Sequence, residues 1–424
     1  MGDRPTVRSI GSGLRVVTEP MAGVRSVALG VWIGVGSRYE TSPQSGISHF
    51  LEHLLFKGTD RYSAEEIAQF FDGLGGEINA ATGRDYTVVY MRVLDEALEQ
   101  ASPVLADMLT RPSFHDLDQE REVVLEEIAM YEDDPGDLVH DMLAAAVFPD
   151  QPLGRPVIGT REVVGSVPQA DVAAYHRHHY RPANMVVSAA GNLDDDAITR
   201  FSELLVGNAA EAPLEGISRA ESGSPTLSLM VKPTEQVHLC LGGPGLSRTD
   251  TRRHAQSVLD TVLGGLMSSR LFQEVREKRG LAYSVGSYAL GYADTGQVAV
   301  HLGTREDNLR TACEVIGNEL NRLGDEPVPA AELRRAKDHI KGRLVLSTES
   351  PGTRMNRIGR AVVTDGELLT IDEVIERIEA VTADDIRDLA DEFWRPERMS
   401  AAVIGPNEAA IHEGLGAFAP ALVG

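Results

Sequence analysis

The sequence predicts an α+β protein made of two homologous α/β domains of about 210 residues, each with a mostly antiparallel sheet packed against helices. Three observations predict this class. The chain contains a weak internal repeat, its strand-like and helical segments follow the same coarse order in both halves, and a stretch rich in Gly, Ala, Ser and Pro separates the halves. A length of 424 residues accommodates two such domains.

The repeat is clearest at the end of each half. Residues 167–191 recur 214 positions later as residues 381–405, with identical Val, Asp, Arg, Pro, Met and Gly in the same order. Each copy predicts a helix, an Arg-Pro turn and an apolar strand. Between the halves, residues 206–226 have the composition of a linker. We therefore expect domains at 1–205 and 227–424.

Periodicity predicts the elements of the first half. Strand-like runs lie at 14–17, 27–33, 87–93 and 185–190, and helical patterns lie at 46–56, 63–73, 95–109, 117–133 and 168–178. The last of these helices carries His176, His178 and His179, which we expect on a solvated face.

Composition excludes several classes of protein. The chain has 40 Lys and Arg against 64 Asp and Glu, a net charge of −24, so nucleic-acid binding is not expected. Its longest uncharged apolar run, around residues 27–36, is much shorter than a membrane helix. Residues 1–5 resemble neither a secretory signal nor a transit peptide, so we expect residence in the cytoplasm. Cys240 and Cys313 lack the spacing of a disulfide framework or a zinc site and are expected in the core.

The helix predicted at 46–56 carries the first candidate site residues. Its apolar residues occupy one arc of the helical wheel, and His49, Glu52 and His53 occupy the opposite arc. Two histidines four residues apart can point at one metal ion, with Glu52 beside them. This is the inverted zinc motif H-x-x-E-H. The alternative is a polar helix face whose histidines are incidental.

A catalytic zinc ion takes three protein ligands, and Glu127 is the best candidate for the third. On the helix predicted at 117–133 it falls inside an apolar stripe, where an uncompensated carboxylate would be costly. The stripe consists of Val123, Val124, Met130 and Tyr131. A metal ion would remove the cost, and a salt bridge to Lys or Arg is the alternative. Glu120, two turns earlier on the same face, is a candidate to orient a metal ligand.

With these motifs the chain resembles the pitrilysin (insulinase) family of zinc peptidases, and most closely its bacterial members similar to the mitochondrial processing peptidase subunit, over nearly its whole length. The first two family motifs are residues 49–53 and 120–127. In the third motif, at 268–283, the family's substrate-contacting Arg and Tyr fall on Arg276 and Tyr283.

Another segment, residues 75–82, resembles the exposed edge strand of the family. There Asn79 and Ala80 would pair with an extended substrate through backbone hydrogen bonds, which depend little on substrate side chains. The alternative is an ordinary strand after a Gly-Gly turn.

The resemblance implies a zinc endopeptidase that hydrolyses unfolded peptides or presequence-like segments. One Zn²⁺ per chain would be held by His49, His53 and Glu127, and Glu52 would act as general base on a water molecule. The second half has Asp260, Leu263 and Gly264 opposite the motif, so it is expected to bind no zinc.

The resemblance also implies that two chains pair around a closed chamber, here as a homodimer, with Arg276 and Tyr283 steadying the substrate carbonyl in the partner's site. The net negative charge is expected to solvate the surface, and an acidic chamber that favours basic peptides is the alternative. Two other functions stay open: an inactive structural subunit, and a peptide-binding module whose zinc is structural.

Overall fold

The structure, a computed structural model, describes residues 5–206, 217 and 219–423. Among these residues the strands are β1 (Val7–Ile10), β2 (Leu14–Pro20), β3 (Ser26–Ile33), β4 (Glu77–Thr82), β5 (Thr87–Leu94), β6 (Met185–Gly191), β7 (Leu227–Val231), β8 (Val237–Gly245), β9 (Ala282–Gly291), β10 (Gly296–Thr304) and β11 (Ser400–Gly405).

The helices of the described residues are α1 (Ile47–Leu55), α2 (Ala64–Gly73), α3 (Leu98–Thr110), α4 (Leu117–Asp133), α5 (Pro135–Val147), α6 (Arg161–Ser166), α7 (Gln169–His179), α8 (Asp195–Val206), α9 (Arg253–Leu263), α10 (Leu309–Asp325), α11 (Ala330–Ser347), α12 (Pro351–Val363), α13 (Ile371–Ala380), α14 (Ala383–Phe393) and α15 (Glu408–Gly416). The strands and helices predicted for the first half are present, with bounds that differ by three residues at most.

The described residues form two compact units. The first contains those of Met1–Ala129, Pro156–Ser218 and Val345–Thr370, and the second contains those of Met130–Arg155, Arg219–Leu344 and Ile371–Gly424. Each unit therefore includes one helical segment from the other half of the sequence. The predicted domains at 1–205 and 227–424 instead keep each of these segments with its own half. Of the predicted linker at 206–226, residues 207–216 and 218 lie outside the described residues.

The first unit is built on a six-stranded sheet with the order β1-β2-β6-β3-β5-β4. Only the β2–β6 pair is parallel. Every residue of β6 is buried, as expected of a continuous apolar run in a central strand. β4 pairs with β5 on one side and is an edge strand, along which exposed and half-buried residues alternate.

Helices cover both faces of this sheet. One face packs on α1, α3 and α7 in a large apolar core, and the other packs on α12. The approach of α12 is close, because a Cβ atom at Gly359 would lie 2.0 Å from Trp32 Nε1. Trp32 Nε1 donates a hydrogen bond of 2.8 Å to Ser188 Oγ, so the buried indole N–H is paired. Glycine at 359 is therefore required for this helix to reach the sheet.

The second unit repeats the architecture. Its five-stranded sheet has the order β7-β11-β8-β10-β9, which corresponds strand by strand to β2-β6-β3-β5-β4. The parallel pair, β7–β11, also corresponds to β2–β6. Helices α9, α10 and α14 pack on one face and α5 on the other. These features confirm the prediction of two homologous α+β domains.

Two further predictions concern burial and membrane spans. Cys240 and Cys313 are buried and form no disulfide, which confirms that they are core residues. Among the described residues, no helix combines the length and the apolar composition that crossing a membrane demands. Residence in the cytoplasm stays a prediction.

The exposure of the histidines at the end of α7 agrees only in part with the expectation that they lie on a solvated face. His178 is exposed, but His176 is only 7% exposed and its Nε2 lies 2.8 Å from the carbonyl oxygen of Leu109, to which it donates. The prediction is therefore wrong for His176, because its face of α7 packs against the core beside Phe114. Burial lowers the pKa of His176 to about 4.

This burial predicts acid sensitivity of the first unit. The folded state favours neutral His176, so protonation of the unfolded chain reduces stability as the pH falls from about 6.5 toward 4. Between pH 8 and pH 5 we expect wild type to lose about 2 kcal/mol more unfolding free energy than His176→Gln, as measured by urea denaturation. His178→Gln, on the exposed face, serves as the matched control and should lose as much as wild type. Equal losses in wild type and His176→Gln would contradict this account.

Candidate metal centre

The candidate site is built on α1, a helix of nine residues with two different faces. One face is fully buried in the core of the first unit and consists of Ile47, Phe50, Leu51, Leu54 and Leu55. The opposite face presents His49, Glu52 and His53, all partly exposed. The buried face therefore fixes the direction in which the three polar side chains point.

Three donor atoms converge at this face. His49 Nε2 lies 3.8 Å from Glu127 Oε1, and His53 Nε2 lies 3.3 Å from Glu127 Oε2. In the part of the chain that the structure describes, these three residues form the one group whose ligand atoms lie close enough together to hold a metal ion. Tetrahedral zinc, with bonds of about 2.0–2.2 Å, places neighbouring ligand atoms roughly 3.3–3.6 Å apart. The donor set fits a zinc ion, with the His53–Glu127 distance inside this range and the His49–Glu127 distance slightly above it.

Burial of His49 and a hydrogen bond of His53 suit these two residues to metal binding. Burial lowers the pKa of His49 to about 4, so its imidazole is neutral at neutral pH. His53 Nδ1 donates to Glu120 Oε1 over 2.8 Å, which leaves the lone pair of Nε2 directed toward Glu127. Glu120 is buried and also binds Lys57 Nζ at 2.7 Å through Oε2. Glu120 thus fixes the ring of His53, while Lys57, which sequence reasoning missed, balances the charge of the buried carboxylate.

Glu127 lies at the cluster, but the argument that selected it from the sequence is wrong. Its side chain is 44% exposed, and in the predicted apolar stripe Val123 is 47% and Met130 69% exposed. Only Val124 is fully buried. Because Glu127 itself is partly exposed and two of the four stripe residues face solvent, burial cost does not explain Glu127. Its position follows instead from packing, since α4 presents Glu120 and Glu127 on one face, toward His53.

Glu52 lies beside this cluster and interacts electrostatically with His53 and Glu127. Burial raises its pKa, and the hydrogen bond that Thr82 Oγ1 donates to Glu52 Oε2 opposes part of this effect. Thr82 is the last residue of the edge strand β4. No signal in the sequence indicated this contact, because the two residues come together only when β4 packs beside α1.

The edge strand β4 contains Asn79 and Ala80. The Ala80 N–H donates to the side-chain oxygen of Asn79 over 2.8 Å rather than to the neighbouring strand. It therefore lies on the open side of the sheet. A cavity of about 460 Å³ lies next to this strand. Its lining includes Phe56, Ile67, Phe71, Ile78, Asn79 and Tyr90.

Arg276 and Tyr283 lie together in the second unit. Arg276 Nη1 donates to the backbone oxygen of Tyr283 over 3.1 Å, and its guanidinium lies 4.5 Å from the centre of the Tyr283 ring. Arg276 belongs to a π-helical segment, Phe272–Glu277, and Tyr283 to β9. The Tyr283 side chain is free to contact another molecule, since the residue is 78% exposed.

The second unit has no equivalent metal cluster among its described residues. Asp260 of α9, opposite His49 in the repeat, is half-buried and accepts a hydrogen bond of 2.6 Å from Ser287 Oγ. A Cβ atom at Gly264, opposite His53, would lie 2.3 Å from the backbone nitrogen of Ser287. Here the helix packs directly on the strand, which leaves no space for a metal-binding side chain.

Comparison with known proteins identifies the family. Residues 15–161 match the sequence model of the insulinase family (peptidase family M16), and residues 166–340 match that of the peptidase M16 inactive domain. The chain is also 45% identical, over 414 residues, to an uncharacterized zinc protease of Streptomyces coelicolor, with 95% of this chain and 90% of the relative aligned. The chain belongs to the insulinase family of peptidases, M16. An uncharacterized zinc protease of Bacillus subtilis is 42% identical over 398 residues, covering 93% of this chain and 97% of that protein.

Solved structures share the fold. A protease from Helicobacter pylori has a TM-score of 0.88 at 21% identity, with 95% of this chain and 100% of that chain covered. A structure described as a peptidase M16 inactive domain from Pseudomonas fluorescens has a TM-score of 0.87 at 22% identity, covering 95% and 98%. The family resemblance predicted from the motifs is confirmed, and the M16 assignment supports a zinc metallopeptidase.

Proposed function

We propose that this protein is a zinc-dependent endopeptidase that hydrolyses unfolded peptides, presequence-like segments included. The observation that carries the proposal is the convergence of two imidazole nitrogens and one carboxylate, with a second carboxyl group, that of Glu52, beside them. Three protein ligands with an open fourth position are typical of catalytic zinc sites, whereas structural sites close with a fourth protein ligand.

In this proposal one Zn²⁺ per chain is held by His49, His53 and Glu127. When bound, the ion would supply Lewis-acid polarisation of a water molecule and of the scissile carbonyl. Glu120 keeps His53 in the tautomer that can bind metal, through its hydrogen bond to Nδ1.

Glu52 would act as the general base. Thr82 occupies its Oε2, so the other carboxylate oxygen takes a proton from the attacking water and later delivers it to the leaving amine. The raised pKa of Glu52 suits this role, because a base whose pKa is closer to neutral can both accept and return a proton. Arg276 and Tyr283 would stabilise the developing oxyanion or the adjacent substrate carbonyls.

The first prediction concerns Glu52. Glu52→Gln keeps the shape of the side chain but cannot accept the proton, so cleavage of a quenched fluorescent basic peptide should fall roughly 10²–10⁴-fold at equal zinc content. Glu126→Gln, an exposed position on α4, is the control and should keep wild-type activity.

Two outcomes would contradict the proposal. Undiminished cleavage by zinc-loaded Glu52→Gln would exclude Glu52 as the base. A wild type that binds zinc but cuts none of a broad peptide set would favour the alternative of an inactive or peptide-binding subunit.

Substrate binding is proposed at the open side of β4. The outward N–H of Ala80 can exchange its hydrogen bond with Asn79 for one to a substrate carbonyl, which would add the peptide as a further strand. Thr82 joins this strand directly to Glu52, so a peptide in that register would pass the site. The adjacent cavity, lined by aromatic and aliphatic groups, could receive a substrate side chain.

Ala80→Pro tests this binding mode. Proline removes the outward N–H without removing a hydrogen bond to β5, and it is tolerated in edge strands. The loss of one hydrogen bond worth about 0.5–1.5 kcal/mol should lower kcat/KM roughly 2- to 13-fold, mainly through KM. Ala80→Ser keeps the N–H and should behave like wild type. Equal kcat/KM for Ala80→Pro and Ala80→Ser would argue against strand addition.

A homodimer that encloses a chamber is the proposed assembly, with Arg276 and Tyr283 of one chain acting at the partner's zinc. The exposure of the Tyr283 ring supports a role in contacting another molecule. Two-fold pairing would place the same contact in both sites.

Mixing two inactive variants tests action in trans. Dimers that combine Glu52→Gln with Tyr283→Phe should regain one intact site, and a random mixture should recover about a quarter of wild-type activity. Each variant mixed with itself provides the control. No recovery in mixed dimers verified by mass spectrometry would indicate action in cis.

A further inference from the structure

We propose that Glu40 is a positioning residue for the metal centre, because it clamps the start of α1 and so sets the direction of His49. Glu40 is only 3% exposed. Its Oε2 accepts a hydrogen bond of 2.8 Å from the N–H of Gly46, and its Oε1 accepts one of 2.8 Å from the N–H of Ser48. This inference rests on the proposed zinc site.

The clamp replaces a cap that α1 lacks. The residue before the helix, Gly46, has no side chain and adopts a left-handed conformation with φ of 93°. Buried N–H groups at a helix N-terminus need an acceptor, and a carboxylate is favoured there by the helix dipole as well. The carboxylate of Glu40 satisfies two of these groups from outside the helix. Without it, both would be buried and unpaired.

Ser48 is held a second time through its side chain. Its Oγ lies 2.8 Å from the hydroxyl of Tyr175, a buried residue of α7. The residue immediately before His49 is therefore fixed at its backbone by Glu40 and at its side chain by Tyr175. These two contacts come from different parts of the chain and together restrain the first turn of α1.

The two histidines depend on this restraint to different degrees. The ring of His53 is oriented by Glu120 through Nδ1. The Nδ1 of His49 is buried and has no hydrogen-bond partner among the described residues. In the part of the chain that the structure describes, no hydrogen bond at Nδ1 orients the ring of His49, so the direction of its Nε2 depends on the backbone of α1 and on packing. In a helix of nine residues, a small rotation of the first turn would move that nitrogen away from Glu127.

The test compares zinc affinity among variants by competition with a chromogenic chelator. Glu40→Gln keeps the size of the side chain, but its NH₂ group faces one of the two N–H donors, so the clamp loses one bond. We expect its zinc dissociation constant to rise about 10-fold or more, as for the loss of other groups that orient metal ligands. Glu66→Gln removes a carboxylate cap from α2 in the same unit and should stay within about 2-fold of wild type.

If the role of Glu40 is purely structural, Glu40→Gln lowers the unfolding temperature of the zinc-free protein but leaves the zinc dissociation constant of the folded protein unchanged. That result would overturn the proposal. Glu120→Gln, which should weaken zinc binding, shows that the assay detects such losses. If Glu40→Gln fails to fold, Glu40→Asp decides, because it keeps the charge but shortens the reach to the two N–H groups: weakening of about 3-fold or more supports the clamp, and a smaller change overturns it.

If the proposed zinc site itself is wrong, the zinc-binding measurements give a different set of results. Wild type would then bind no zinc, or His49→Ala would bind it as tightly as wild type. Weak binding by His49→Ala together with wild-type affinity in Glu40→Gln would preserve the proposed function and overturn only the clamp.

Discussion

The site depends on one constraint: nine residues of α1 must bury one face completely and present two imidazoles and a carboxyl group on the other. Burying a Phe or Leu side chain contributes about 1.5–3 kcal/mol, so the apolar face of α1 anchors the helix firmly in the core of the first unit. The polar side chains on the other face then need only neighbouring hydrogen-bond partners to fix their orientation. Glu120 supplies one for His53, Thr82 one for Glu52, and α4 brings Glu127 opposite both histidines. The stability of the fold and the geometry of the site share the same helix.

The duplicated architecture shows what the site requires beyond the fold. Both units have the same strand order and the same parallel pair, with an amphipathic helix beside the edge strand. In the second unit, Gly264 and the Asp260–Ser287 hydrogen bond bring that helix directly against β9. In the first unit, Glu52 and Thr82 meet across the corresponding interface. Differences in this helix therefore replace part of a potential metal site by a purely structural contact, which illustrates that function belongs to sites and not to folds.

Local patterns predicted most of the fold and the part of the site that lies on one helix. Alternation and helical periodicity located the elements of the first half, and the spacing of His49 and His53 follows directly from the helix. Local patterns do not predict contacts between residues that are far apart in the sequence. Thr82 meets Glu52 from 30 residues away, and Tyr175 meets Ser48 from 127 residues away. Local patterns also did not predict that each unit contains a helical segment from the other half of the sequence, because this depends on which sheet each helix covers. Glu127 was selected for its apolar neighbours, two of which the structure shows to be exposed.

Crystals grown with zinc would test the central claim most directly, through diffraction data collected on both sides of the zinc absorption edge. The account predicts one anomalous peak in the first unit, about 2.0–2.2 Å from the Nε2 atoms of His49 and His53 and from a carboxylate oxygen of Glu127. It also predicts no fourth protein ligand. A peak held by four protein ligands, or a zinc ion bound elsewhere with these three residues empty, would contradict the account.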